Sequence, residues 1–67
     1  MTKQEFLSEL ERALGKLPHA EVEQALAFYD EAISDRMEDG LSEAEALADL
    51  GPIDEIAAQI AAETPPI

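Results

Sequence analysis

The chain has 67 residues, four basic against sixteen acidic, a formal net charge of −12 and no cysteine. That length allows one small domain, which buries only about 60% of the surface its unfolded form exposes. Disulfide staples and thiolate chemistry are excluded, and zinc is left with one histidine and carboxylates, a poor structural set. The charge opposes direct binding to nucleic acid and docking on an anionic membrane surface. It suits a basic protein partner, or simply keeps a small alanine-rich bundle in solution.

The opening MTKQEFLSEL lacks the apolar core of an export signal. No apolar run approaches the ~18 residues of a membrane span, so the expectation is a soluble, cytoplasmic chain that does not insert into membranes. Thr2 and Glu5 make a capping box at the start of a first helix over about 3–15. Phe6, Leu7, Leu10, Ala13, Leu14 and Leu17 recur at spacings of three and four, which is one helical face. Gly15 is the expected stop, and Pro18 prevents continuation.

A second helix is predicted over about 19–39, uninterrupted by Gly or Pro. Its stripe is Val22, Leu26, Tyr29, Ile33 and Met37, with Ala25 and Ala32 beside it, and Gly40 ends it in a left-handed conformation. Ser42 and Glu45 form a second capping box before a short helix over about 43–50, with Ala44, Leu47 and Leu50 inward and Ala48 flanking. Gly51 closes it. Pro52 then opens a fourth helix over about 53–62, in which Ile53, Ile56, Ala57 and Ile60 mark the apolar face.

The fold expected is therefore all-α, a bundle of four short helices forming one domain over 1–63, with 64–67 the start of a linker or a terminal tail. Phe6, Leu10, Leu14, Leu26, Ile33, Leu47, Leu50, Ile56 and Ile60 are the candidate core.

Candidate chemistry is sparse. His19 is the only histidine; Glu23, one turn on, is placed to orient it, but an exposed residue at a polar helix start is the simpler reading. A calcium loop opening at Asp35 puts Asp39 and Gly40 at positions five and six, yet Met37 falls at position three and Ala46 at twelve. Two required oxygen ligands are missing, so an EF-hand is rejected. No serine–histidine–acid set stands out, and no catalytic residue, metal or cofactor is assigned. Glu31, Asp35, Glu38 and Asp39 crowd one side of the second helix, as a solvated face or an electrostatic surface for a partner. Arg36, the lone cation between Phe28 and Gly51, is placed to pair with Asp39 or to reach the third helix. Exposed apolar residues such as Phe28 or Ile53 are the alternative docking points.

The segments at 3–14 (KQEFLSELERAL), 17–18 (LP), 29–40 (YDEAISDRMEDG), 42–46 (SEAEA), 50–51 (LG) and 53–60 (IDEIAAQI) together resemble the HAAS family. These are small helical signalling domains of bacterial membrane-associated proteins. The resemblance spans nearly the whole chain. It implies an intracellular module, usually followed by a linker and transmembrane helices and often associated with PadR-like transcriptional regulators. No membrane span follows Ile60, and Thr64-Pro65-Pro66 stands where the family's linker would start. The chain thus reads as an excised domain; were it a complete protein, the membrane anchoring that the resemblance implies would be in doubt. The family offers no catalytic motif to carry over. Two functions follow as expectations. One is a non-enzymatic module binding a protein partner such as a PadR-like regulator, and the other is a unit that self-associates as a homodimer.

Overall fold

Two short polar signals set where helices begin. Thr2 Oγ1 accepts the backbone N–H of Glu5 at 3.1 Å, while the Glu5 carboxylate accepts that of Thr2 at 3.0 Å. Ser42 and Glu45 repeat the arrangement at 3.1 and 2.9 Å. Each box satisfies orphan N–H groups that a helix start leaves unpaired. The computed structural model describes residues 1–63, and these form α1 (Lys3–Ala13), α2 (His19–Glu38), α3 (Glu43–Leu50) and α4 (Ile53–Glu63). The all-α bundle expected from the sequence is the fold observed. The linker or tail read at 64–67 lies outside the described residues.

The ends of the helices follow different rules. α1 stops two residues short of the expected Gly15, with Leu14 as its cap, and Gly15 is not in a left-handed conformation. The stop there comes from the turn leading to Pro18. Gly40 does have φ +109°. Its N–H donates to the Met37 carbonyl, and that of Leu41 donates to the Arg36 carbonyl, both at 3.1 Å. These are the paired hydrogen bonds of a Schellman motif, with glycine at the position that favours it. Gly51, φ +95°, caps α3.

α1 lies at the centre, packed against α2, α3 and α4. α2 also packs on α3, whereas α2 and α4 scarcely touch one another. The core is Phe6, Leu10, Leu14, Val22, Ile33, Ala46, Leu47 and Ile56. Leu26, Leu50 and Ile60, expected inside, are only partly buried against it. Val22 takes the place expected of Leu26 because the neighbours of α2 cover one flank of its stripe. Met37, at the far end of that stripe, is 42% exposed. On α3 the inward alanine is Ala46, fully buried, whereas Ala44 is exposed. A residue this small lets α3 approach its neighbours closely.

Two polar ties hold the helices in register. Lys3 Nζ at the start of α1 pairs with Asp30 and donates to Ser34 Oγ at 3.0 Å, both in the second half of α2. Arg36 Nε donates to Asp49 Oδ2 of α3 at 2.6 Å, and its Nη1 to the Ala32 carbonyl at 3.1 Å. Of its two expected partners, Arg36 has therefore taken the third helix.

Candidate docking surface on the second helix

α2 is twenty residues long, yet buries only Val22 and Ile33. Its outer face is therefore the largest helical surface not used by the core. Glu31, Asp35, Glu38 and Asp39 are all exposed on it. The structure brings Glu31 and Asp35 together beside Phe28, Ala32 and Arg36 around one open depression. Glu38 continues the row two turns beyond Glu31. Asp39 sits apart from that depression, as the C-cap residue. Among the described residues the ion pairs are Lys3–Asp30, His19–Glu23 and Arg36–Asp49, so none of the four carboxylates has a cationic partner.

The placement of Glu38 and Asp39 works against the helix. Unsatisfied carbonyls give a helix C-terminus partial negative charge, which favours cations there and disfavours carboxylates. Arg36 is the single cation in the last turn. Like charges at spacings of three and four add a few tenths of a kcal/mol of repulsion per pair. Helix stability therefore does not explain this acidic end.

Phe28 adds an apolar element to the same region. It is 65% exposed, and its ring meets that of Tyr29 edge-on, centroids 5.1 Å apart at 82°. Tyr29 itself is half-buried against the core. Ile53, the other apolar docking candidate, is also packed against the core, which leaves Phe28 as the better-exposed of the two.

The remaining candidates stay at the surface. His19 Nε2 and Glu23 Oε1 are 3.0 Å apart, with side chains 82% and 67% exposed, an i,i+4 pair at the start of α2. The stretch rejected as a calcium loop on its ligands is mostly helix as well, since α2 runs to Glu38 and α3 starts at Glu43. Among the described residues, no group of three or more His, Asp or Glu is arranged to hold a metal ion. The perturbed carboxyls are Glu5 and Glu45 at the capping boxes. Each is held below the usual glutamate range by the backbone N–H of its cap residue and, second, by that residue's hydroxyl.

The HAAS family model matches residues 5–59, from the first turn of α1 to the middle of α4. The chain belongs to the HAAS family. The match takes in all of α2 and α3 and therefore the whole acidic surface. No curated protein and no solved structure gives a significant match. Within the described residues of this HAAS domain, no helix is long and apolar enough to cross a membrane.

Proposed function

We propose that this HAAS domain is a non-enzymatic signalling module that docks a basic protein partner on the outer face of α2, through Glu31, Asp35, Glu38 and Asp39. The observation that carries this reading is the crowding of carboxylates at the negative end of α2, where the single cation of the last turn, Arg36, is paired with Asp49 rather than with any of the four. Residues placed against local stability are expected where function requires them. The family's association with PadR-like transcriptional regulators makes such a regulator the first partner to try. Contact with the regulator's own protein surface, rather than with DNA, is consistent with a net charge of −12. Self-association through the same face is disfavoured, because it would set these carboxylates against their own copies.

The test is the triple variant Glu31→Gln, Asp35→Asn, Glu38→Gln. All three side chains are exposed, so the fold is retained and its melting temperature stays level or rises as repulsion is relieved. Association with the cognate regulator slows, and its dependence on salt weakens, because long-range steering is lost. Binding at low salt that is unchanged in rate and affinity would return the four carboxylates to the role of a solvated surface.

A further inference from the structure

The two helices that flank α1 leave a gap. α2 and α4 both pack on α1 but scarcely on each other. Between them runs an open groove floored by Ala25, Tyr29 and Ile60, with Phe28 as one wall and Glu21 and Glu63 among its rim residues. Among the described residues that line it there is no Lys or Arg. Phe28 also borders the depression holding Glu31 and Asp35, so the apolar groove and the acidic row are continuous across one aromatic ring.

We infer that this groove seats the apolar face of a short, basic amphipathic helix supplied by the protein partner, with Phe28 as the central contact. The inference rests on the docking reading above and adds to it the place and the chemistry of the partner segment. Isolated apolar residues on a surface are ordinary, but Phe28 is contiguous with Tyr29, Ala25 and Ile60 in a concave setting. Its packing against Tyr29 restricts the ring before any partner arrives, which lowers the ordering cost of binding. From Glu21 to Tyr29 the groove follows α2 for about 12 Å, at ~1.5 Å per residue. That span fits two turns of helix presenting two apolar side chains at i and i+3 or i+4. The carboxylates at the rim and beyond Phe28 select Lys and Arg on the flanks of that segment. A second copy of this chain is a poor occupant, since each would bring the same acidic rim.

The experiment uses a synthetic fourteen-residue peptide with Leu on one helical face and Lys or Arg elsewhere. A scrambled peptide of identical composition is the control. Each is titrated into the isotopically labelled 67-residue chain and followed by backbone amide NMR. Shifts are expected to concentrate at Ala25, Phe28, Tyr29 and Ile60, with the scrambled peptide binding at least about tenfold more weakly. Phe28→Ser is expected to weaken binding tenfold or more while leaving the melting temperature nearly unchanged, since the ring is mostly exposed. Equal binding of the two peptides, or of Phe28→Ser and the parent, overturns the groove. So does a concentration-dependent dimer, seen in sedimentation, that Phe28→Ser abolishes, because the occupant is then a second copy. The triple charge variant separates the two proposals. If it alone weakens binding, the acidic face stands and the groove falls. If Phe28→Ser alone weakens binding, the groove stands and the acidic face falls.

Discussion

α1 and α2 show two ways of using a helix in so small a protein. α1 has eleven residues and buries Phe6 and Leu10 almost completely, with Leu14 at its cap equally enclosed. α2 has nearly twice that length and buries the same number of side chains. α1 is surrounded by neighbours, while α2 is covered on one flank and open on the other. Their entrances differ as well. α1 opens with a reciprocal capping box, whereas α2 opens at Pro18 with no side-chain cap. The difference indicates that α1 supplies the packing on which the fold depends, and that α2 carries more surface than folding requires. A protein of marginal stability keeps such a surface more readily when it is used, and on α2 it is both acidic and partly aromatic.

The largest effects should come from breaking the enclosed side of this comparison. Leu10→Ala and Ile33→Ala remove side chains with no exposed surface, and each should cost ~2–5 kcal/mol. In a domain of this size that is enough to abolish cooperative melting. Met37→Ala, although on the same apolar stripe as Ile33, should cost far less, because Met37 already has 42% of its surface in solvent and leaves no enclosed cavity. Thermal unfolding followed by circular dichroism separates the three. A loss at Met37 comparable to that at Ile33 would mean that the open end of α2 is covered in solution.

An intermediate effect is expected at the junction where α2 ends. A Cβ built on Gly40 meets nothing within 4 Å, so the cost of Gly40→Ala is conformational rather than steric. Placing an L-residue at positive φ there should cost ~1 kcal/mol or somewhat more, which for a domain of this length lowers the melting temperature by about 4–8 °C. A stabilised variant would show that α2 runs on through residue 40 in solution and that the Schellman bonds of Gly40 and Leu41 do not form.

What was legible in the sequence was mostly punctuation. Thr2, Ser42, Gly40 and Gly51 each act through bonds or backbone angles within a few residues of themselves, so their effect can be read without knowing the fold. The helices therefore start and stop within two residues of the expected places. Which residue on an apolar face becomes fully enclosed depends on neighbours distant in sequence. In EAEALADL the alanines at 44, 46 and 48 are indistinguishable by type, and only the position of α3 against α1 and α2 selects Ala46. The same holds for Leu26, which shares a stripe with Val22 but is less covered. The acidic row was visible as a row. Its joining to Phe28 was not, because the groove exists only where α4 returns beside α2.

The smallest effect concerns the capping boxes, and it sharpens the contrast between the two helix entrances. Glu5 and Glu45 each accept a hydrogen bond from the cap residue's backbone N–H that holds the carboxylate form, so their folded pKa lies below the unfolded value. A carboxyl of this kind adds stability that is complete above its unfolded pKa, near pH ~4.3. That stability is lost as the pH falls through the lower folded value, where the proton must bind in the fold as well. Glu5→Gln and Glu45→Gln keep an acceptor at the right position but have no charge to titrate. At neutral pH the parent chain should therefore melt slightly above each variant, and the gap should close as the pH is taken from about 5 to 3. α2 has no such box, so its outer carboxylates make no cap bond that could be lost, and the triple variant of Glu31, Asp35 and Glu38 should show no neutral-pH deficit. If the Gln variants melt with the parent at every pH, the boxes contribute through geometry alone and the charge on Glu5 and Glu45 is incidental. If instead the triple variant shows the neutral deficit, the outer carboxylates of α2 stabilise the fold, and the view of α2 as a surface held in reserve for a partner fails.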